Sequence, residues 1–402
     1  MPIDSLPSPL LIPSLETLPD LAYNTCGMKF VFLGAYDPAY PRNAVIRKGL
    51  EALGDEIAGY PVNPSFKAWM RYPILLARLA ADSFRPGQGF PARQTDCVFV
   101  PEFCQKDVPL ARFLATLTSK PLVFDPLAAR YETKVLDWKR RSPGSLAAWW
   151  NFRIDDWAFR LADIVLADTA AHAAYYRDAY ALPMNKIGVV PVGYDDSVFD
   201  PDRARPAPRP RNGRGFVVLF FGSFLPLHGV EAIVKAARIV KDRDPGVVFR
   251  FVGSGQTRPQ AESMAADLGA DNCVFEPWAA YDEIPSLIAA SDACLGIFGR
   301  TEKAGRVVPH KLYQCLGMRK PVITARTPAA EEFLIHGGNA LLCDEPFSEN
   351  LAEAVLALKK DAALGERIAR NGHLLARKKF TPPAIARKLK TILANGKGRA
   401  ED

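Results

Sequence analysis

Short apolar runs alternate with amphipathic helical stretches along most of the chain. In the first half, the pattern predicts buried strands at residues 30–33, 97–100, 122–124 and 189–192. It predicts a helix over residues 43–53 and long helices over most of 131–182. Strands separated by helices indicate a parallel sheet wound with right-handed crossovers.

The pattern stops at residues 201–215, which are polar, basic and rich in proline, and then restarts. The second half repeats the alternation, with strands predicted at 217–221, 247–252, 273–275, 293–297 and 321–324 and helices at 229–242, 260–268, 284–290 and 309–316. Two doubly wound halves predict a ligand cleft between them, at the carboxyl ends of the strands.

These changes in composition and in the apolar pattern divide the chain into five parts. Residues 1–27 hold five prolines and form an N-terminal extension, 28–200 a first domain, 201–215 a linker, 216–380 a second domain, and 381–402 a short basic helix and tail.

The 402 residues are 49% hydrophobic and 24% charged, which is typical of a globular protein of two or three domains. Seven scattered cysteines without a CxxC pair indicate a reducing compartment and argue against a zinc cluster. No apolar run reaches the roughly 18 residues of a spanning helix, and the N-terminus lacks the basic region of a secretory signal. We expect a cytoplasmic protein.

The positive charge is concentrated in the second half, where residues 201–402 hold 30 basic and 22 acidic side chains. This excess favours an anionic ligand. Nucleic acid is not expected, because the chain lacks zinc-finger, RNP and basic-zipper patterns.

A basic loop in the second domain is the strongest candidate anion site. A strand opens there into residues 298–308, which contain glycines and Arg306, and Pro309 then begins a helix that carries Lys311. Free backbone N–H groups at the helix start, with Arg306 and Lys311 beside them, suit a diphosphate. The alternative is a solvated basic loop.

Several motifs occur in an order that resembles the retaining glycosyltransferases of the GT-B fold, family four. The first motif of the second domain is a pair of glycines seven residues apart, Gly222 and Gly229. The second is the Phe-Val-Gly-Ser-Gly run at 251–255, and the third is the basic loop with the helix that follows it, which ends in Gly-x-x-Lys-Pro-Val-Ile. In the first domain they are Gly34, Pro41-Arg42-Asn43, residues 162–169 and residues 189–193. The resemblance covers about residues 28–380.

The resemblance implies two Rossmann-like α/β domains that face each other across a cleft. The second domain would bind a nucleotide-sugar donor, with UDP favoured over GDP, and the first would face the acceptor, with no cofactor and no bound metal. The implied donor-binding residues are Gly222, Ser223, His228, Gly253, Trp278, Val308 and Gln314, and the acceptor-side residues are Gly34, Arg42 and Asn43. The adjacent acids Asp155-Asp156 and Asp195-Asp196 lack a metal-binding context and are interpreted as a helix face and a loop.

The sequence departs from the family pattern at four positions. The usual glutamate pair falls on Arg306 and Gln314, and the usual Arg and Lys after the first strand fall on Ser223 and His228. His228 either donates to phosphate or caps a helix start. We expect Arg306 and Lys311 to take over the cationic role and to stabilise the departing diphosphate electrostatically.

The general base is the least defined element. Asp107 and Asp125 lie at predicted strand ends of the first domain. Asp125 precedes a proline and is interpreted as a turn residue, which leaves Asp107 as the candidate. An NAD enzyme is not expected, because Gly253-Ser-Gly255 is too short for a dinucleotide fingerprint.

Two aromatic and basic segments, residues 66–72 and residues 138–141 with Trp149-Trp150, suit a membrane-interface dock for a lipid-linked acceptor. The alternative is helices packed under the sheet. By the same resemblance, the C-terminal helix is expected to brace the first domain.

The function implied is retaining transfer of a sugar from a UDP- or GDP-sugar to a glycan or lipid-linked acceptor, in cell-surface polysaccharide synthesis at the inner face of the membrane. One alternative is a nucleotide-sugar epimerase or hydrolase of the same fold. Another is a nucleotide-sugar-binding protein without catalysis, since both glutamates are lost.

Overall fold

A computed structural model describes residues 27–83, 94–210 and 215–397. Each half of the chain contains a parallel six-stranded sheet with helices on it. This confirms the predicted α/β class with two Rossmann-like domains. No helix within the described ranges combines the length and the apolar character that crossing a membrane requires.

The first sheet is built of short buried strands, as parallel sheets usually are. The strands are Lys29–Gly34 (β1), Glu56–Pro61 (β2), Cys97–Val100 (β3), Leu122–Phe124 (β4), Ile164–Ala167 (β5) and Ile187–Val189 (β6), in the order β2-β1-β3-β4-β5-β6. The helices are Pro41–Ala52 (α1), Ala68–Ser83 (α2), Val108–Thr118 (α3), Leu146–Leu161 (α4) and Ala170–Tyr180 (α5), with a π-helical turn at Glu132–Asp137.

The second sheet has the strand order β12-β11-β10-β7-β8-β9. Its strands are Phe216–Phe221 (β7), Val247–Val252 (β8), Cys273–Glu276 (β9), Ala293–Leu295 (β10), Val322–Ala325 (β11) and Leu341–Cys343 (β12). Its helices are Val230–Arg243 (α6), Arg258–Asp267 (α7), Ile284–Ala289 (α8), His310–Gly317 (α9), Pro328–Glu331 (α10), Phe347–Lys360 (α11) and Ala362–Lys379 (α12), followed by Pro382–Lys397 (α13).

The strand order reverses between β1 and β3 in the first sheet and between β7 and β10 in the second. In doubly wound sheets the ligand crevice lies beyond the carboxyl ends of the strands at such a reversal. The pattern analysis misplaced one strand, because residues 190–192 are extended loop and the strand is Ile187–Val189. It did not predict the edge strands β2 and β12.

Helix α13 follows the second domain in the chain but packs on the first. Ile385, Ala386 and Leu389 are buried in the same core as β1 and α1. The approach to α1 is close at Gly49, where an added Cβ would lie 2.0 Å from the carbonyl oxygen of Pro382. The second domain is therefore followed by a helix that completes the core of the first.

The domains also meet at a buried group of charges. Glu132 of the first domain accepts from the Arg306 guanidinium of the second at 3.2 Å, and its other oxygen lies 3.2 Å from Nε2 of His172. Nδ1 of His172 lies 2.6 Å from the carboxylate of Asp168. His172 and Glu132 are fully buried.

Further hydrogen bonds surround this group. The Thr169 hydroxyl donates to the Arg306 carbonyl, and Lys303 donates to the Thr133 hydroxyl at 2.8 Å. The carboxylate of Glu332 accepts the backbone N–H groups of residues 170 and 171 at 2.8 and 2.9 Å. Since these N–H groups begin α5, the acid of one domain caps a helix of the other.

Burial alone would lower the pKa of His172, but the carboxylates of Glu132 and Asp168 outweigh it and raise this pKa to about 9. The pKa of Glu132 is lowered, since the cations around it outweigh its burial. Near neutral pH the imidazolium therefore lies between two carboxylates, and the ion pairs are intact.

We predict that Gly49→Ala destabilises the fold by about 1–3 kcal/mol, because the methyl group overlaps the Pro382 carbonyl. Alanine forms helices better than glycine by about 0.5–1 kcal/mol, so helix propensity alone would make the variant more stable. A lower free energy of unfolding would therefore come from the contact with α13. Urea unfolding measures the effect. Gly365→Ala is the control, since its Cβ would meet other atoms only at 3.8 Å and beyond. Equal effects of the two changes would contradict the prediction.

We predict that His172→Gln costs about 3–5 kcal/mol near pH 6, because it leaves the buried Asp168 carboxylate without its cation and Glu132 with one cation fewer. A raised pKa means that the stabilisation by His172 is complete below about pH 6.5 and is lost as the pH rises through about 9. The difference between wild type and variant should therefore shrink at alkaline pH, as urea unfolding at several pH values would show.

Tyr176→Phe is the control for His172→Gln, since the Tyr176 ring packs on the imidazole at 4.4 Å between centroids. Burial raises the pKa of Tyr176 well above 10, so its ring stays uncharged. This control should shift stability by the same amount from pH 6 to about pH 9, because tyrosine ionises in the unfolded chain only near pH 10. A constant His172→Gln difference from pH 6 to 10 would contradict the electrostatic account.

Candidate functional site

A cavity of about 850 Å³ lies between the two domains, at the strand ends where the topology reverses. The structure brings seven predicted donor-side residues and Lys311 together on its second-domain wall: Gly222, Ser223, His228, Gly253, Trp278, Val308, Gln314 and Lys311. Of the predicted acceptor-side residues, Arg42 lines the other wall. These residues come from separate loops, which supports a ligand site at the reversal.

Lys311 is the most unusual side chain of this wall. It projects from the first turn of α9 and is only 6% exposed. Its ammonium nitrogen lies 3.8 Å from the centroid of the Phe220 ring, and within the described ranges it has no hydrogen-bond partner. Burial lowers the pKa of Lys311 to about 7. A buried cation without a counter-charge, facing a cavity, marks a position for an anion.

Two glycine turns let the backbone approach this cation. Gly222 and Gly253 end adjacent strands with φ values of +118° and +138°. A Cβ on Gly253 would lie 2.0 Å from the Gly222 carbonyl oxygen, and one on Gly222 would lie 3.9 Å from the Lys311 nitrogen. The turns therefore require glycine, and they leave space in front of Lys311.

His228 stands in the loop after β7 and is 7% exposed. Its Nδ1 faces the Ser223 carbonyl oxygen and must donate, since a carbonyl only accepts. Burial and the nearby Lys311 charge lower the pKa of His228 well below its usual value, so the ring is neutral. The sequence left two roles open for His228, donation to a phosphate or a contact within its own loop. The geometry favours the loop contact, because the one ring proton of the neutral imidazole is donated to the Ser223 carbonyl.

Gln314 lies one turn after His310 on α9, and the two side chains are 3.1 Å apart. Burial lowers the pKa of His310 to about 4, so this part of the wall is also neutral. Val308 is buried beside it, whereas Trp278 is 59% exposed at the rim. The second-domain wall therefore combines one buried cation with neutral hydrogen-bonding groups.

The expectation for Arg306 is corrected by its contacts. Its guanidinium pairs with Glu132 and Glu302 and lies 4.2 Å from the centroid of the Tyr175 ring. It is not among the described residues that line the cavity. Arg306 belongs to the predicted basic loop, but Glu132 of the opposite domain holds its guanidinium in the interface.

Asp107 is corrected in the same way. It is fully buried, and its carboxylate accepts the backbone N–H of Ala35 at 2.9 Å and pairs with Arg71 at 3.3 Å. Like Gly34, it is absent from the cavity lining within the described ranges. Asp107 therefore fixes the glycine turn after β1 and does not serve as the base that the sequence suggested.

Arg42 and Asp125 form a buried ion pair of 2.5 Å, so Asp125 is more than a turn residue. Arg42 also donates to the carbonyl oxygens of Val190 and Pro191, at 3.2–3.3 Å. The remaining acceptor-side residue, Asn43, donates to the carboxylate of Glu102 at 2.6 Å and does not line the cavity. These contacts connect α1 to the ends of β4 and β6.

Several lining residues of the first domain were not predicted. Arg130, Thr133, Lys134, Asp137 and Trp138 follow β4 and enter the cavity wall. The signal available in the sequence was their position after a strand end, but the long helix predicted for this segment concealed it. Within the described ranges, no group of three or more histidine, cysteine or acidic residues is arranged to hold a metal ion.

Residues 202–375 match the family model described as glycosyl transferases group 1. The lipopolysaccharide core biosynthesis glycosyltransferase LpsD of Rhizobium meliloti is 28% identical over 242 residues, which are 57% of this chain and 67% of that protein. A mannosylfructose-phosphate synthase of Agrobacterium fabrum is 24% identical over 58% of this chain and 53% of its own length. A D-inositol 3-phosphate glycosyltransferase of Acidothermus cellulolyticus is 32% identical over 46% of this chain and 42% of its own length.

The matched regions thus span between 42% and 67% of the length of these curated relatives. Among solved structures, Anabaena HepE in complex with UDP and glucose superposes with a TM-score of 0.65 at 18% identity, covering 92% of this chain and 99% of that one. Sucrose-phosphate synthase from Thermosynechococcus elongatus superposes with a TM-score of 0.65 at 14% identity, covering 94% and 100%. At these identities the superpositions show a shared fold.

The two parallel sheets, the glycine turns and the loop that leads into α9 occur where the sequence resemblance placed them, and the family match covers the second of the two domains. Residues 202–375 are thus similar to the glycosyl transferases group 1, and the described part of the chain has the GT-B fold.

Proposed function

We propose that this protein is a retaining glycosyltransferase that moves a sugar from a nucleotide-sugar donor to a glycan or lipid-linked acceptor. The observation that carries the proposal is Lys311, a buried ammonium without a counter-charge on the second-domain wall of the cavity. The family match of that domain and the names of the glycosyltransferase relatives support it.

In this proposal the diphosphate of the donor lies against Lys311 and the turn at Gly222. Negative charge grows on the diphosphate as its bond to the sugar breaks, and Lys311 stabilises that charge without a metal ion. The neutral Gln314 and His310 provide hydrogen bonds beside it. Closure of the cavity by both domains excludes water, which would otherwise compete with the acceptor.

We further propose a UDP-sugar as donor and surface polysaccharide synthesis as the setting. The choice of UDP is supported by the fold shared with HepE, which was solved in complex with UDP. The setting is supported by the relative LpsD, which is named for lipopolysaccharide core biosynthesis. The exposed rings of Trp69, Trp149 and Trp150 support an acceptor presented at the inner face of a membrane.

We predict that Lys311→Met weakens nucleoside diphosphate binding roughly 10- to 100-fold, which is the value of a charge-assisted contact. Because the pKa of Lys311 is about 7 in the unliganded protein, an anion must draw a proton onto it at higher pH. Wild-type affinity should therefore fall by about tenfold per pH unit above about pH 7. Calorimetry between pH 7 and 9 measures both effects.

Lys235→Met is the matched control, since Lys235 is an exposed lysine of α6 that lines a different cavity. It removes the same charge and should leave both the affinity and its pH dependence unchanged. Equal affinity of Lys311→Met and wild type, or a wild-type affinity that is flat above pH 7, would contradict the diphosphate position.

A second prediction concerns donor and turnover. Among UDP, GDP and ADP, we expect UDP to raise the melting temperature of the protein most. The increase should be the same with magnesium and with EDTA. A ligand at 100 times its Kd raises the free energy of unfolding by about 2.7 kcal/mol. With labelled UDP-glucose and a membrane lipid extract, we expect a product that keeps the anomeric configuration of the donor, as NMR would show.

These experiments also separate the alternatives. Conversion of the nucleotide-sugar without any acceptor would indicate an epimerase or hydrolase. Tight nucleotide binding without turnover, in the presence of the lipid extract, would indicate a binding protein. A panel in which no nucleoside diphosphate changes the melting temperature would overturn the proposed function.

A further inference from the structure

A group of basic side chains gathers on the first-domain side of the cavity. Arg130 and Lys134 line the cavity itself, four residues apart in the segment that follows β4. Lys106 and Arg71 stand close enough for their charges to act on Arg130. We call these four residues the cation cluster. Arg130 and Lys134 belong to the wall opposite Lys311, and Lys106 and Arg71 lie behind them.

The members of the cation cluster repel one another. Burial, and after it the charges of Arg130 and Lys106, lower the pKa of Lys134. The pKa of Lys106 falls for the same reasons, through burial and the charges of Arg130 and Arg71. Such a concentration of like charge is unfavourable in the empty protein, so an anion placed among these side chains would relieve it.

Asp155 is the acid whose charge acts most on Arg130, but the two side chains form no ion pair. Asp155 uses its two oxygens for the backbone N–H groups of residues 130 and 131, at 3.0 and 2.8 Å. Burial also raises the pKa of Asp155 to about 7, which reduces its negative charge. Asp155 therefore positions the backbone of this segment and leaves the guanidinium group unpaired.

Other carboxylates are also used elsewhere. Asp107 pairs with Arg71, so this member of the cation cluster is neutralised, and the charge acting most strongly on Asp137 is that of Lys303. Within residues 27–83, 94–210 and 215–397, no carboxylate oxygen lies within 4.0 Å of the charged nitrogens of Arg130, Lys134 or Lys106. In the same ranges the buried Nε of Arg130 has no hydrogen-bond partner.

The surroundings of Arg130 and Lys134 suit an anion that is attached to a larger molecule. Arginine provides a planar fork and lysine a point charge, which together match the oxygens of a phosphate. Tyr40, Phe103 and Trp138 line the same wall and provide apolar surface for the rest of the ligand.

We propose that the acceptor carries a phosphate group, and that Arg130 and Lys134 bind this group. The inference rests on the proposed glycosyl transfer, because it takes the first-domain wall as the acceptor side. The two substrates would then be held by separate cations on opposite walls, the donor by Lys311 and the acceptor by Arg130 and Lys134. Each phosphate group faces a positive charge of its own, so their mutual repulsion is reduced.

The test is calorimetry on the full-length protein, with glucose 6-phosphate and glucose as probes and with UDP in a separate titration. Phosphatidylcholine vesicles, with and without phosphatidic acid, test a lipid-borne phosphate. We expect glucose 6-phosphate or the phosphatidic acid vesicles to bind, and glucose and plain vesicles not to bind. In Arg130→Gln/Lys134→Gln this binding should weaken at least tenfold, with UDP affinity unchanged.

The matched control is Lys378→Gln/Lys379→Gln, which removes two exposed positive charges from the last turn of α12. It should bind both the phosphate probe and UDP as wild type does. Equal weakening in the control would show non-specific attraction to net charge and overturn the proposal.

Three further outcomes would overturn it. They are binding of neither phosphate probe, unchanged phosphate binding in the Arg130 and Lys134 variant, and a loss of UDP affinity in that variant, which would assign the cluster to the donor. Failure of the proposed function would give a different result. The wild-type protein would then not bind UDP, whether or not it binds glucose 6-phosphate or phosphatidic acid.

Discussion

The geometry of the cleft depends on one buried carboxylate, Glu132, which is shared between the domains. His172 satisfies one of its oxygens from within the first domain, and Arg306 satisfies the other from the second. Removing a charge from such a site leaves its partner buried and unpaired, which is costly. The interface therefore fixes the distance between the walls more firmly than apolar packing alone would.

That fixed distance gives the cavity an uneven distribution of charge. Acids near the domain contact are occupied by Arg306, Lys303 and His172. Two of the cations that line the cavity, Lys311 and Arg130, have in contrast no carboxylate partner in the described part of the chain. A protein that only needed to fold would gain by pairing these cations. Their unpaired state is the physical reason to assign anionic ligands to both walls.

The sequence predicted the fold well where apolar runs are continuous. The run at 217–221 is an unbroken apolar strand in the middle of the second sheet, and the structure places β7 there. Strand β2, in contrast, combines glycine and proline with half-exposed positions at a sheet edge, so it has no apolar run to detect. Apolar periodicity reports burial, and β2 is only partly buried, whereas the other missed edge strand, β12, is buried but only three residues long.

The candidate site was predictable only where its residues are close together in the chain. Lys311 and Gln314 share one short helix, so the helix start and the spacing indicated their positions. Arg306 was assigned to the cavity because it precedes that helix, but its partner Glu132 is 174 residues away and belongs to the other domain. Contacts of that separation leave no local pattern in a single sequence.

The position of α13 has a consequence for how the protein forms during synthesis. The core around β1 and α1 includes Ile385 and Leu389, which leave the ribosome only after the entire second domain. The first domain cannot complete its core as it emerges, and its incomplete surface is exposed while the second domain folds. The first domain therefore completes its core only after the second domain has been synthesised.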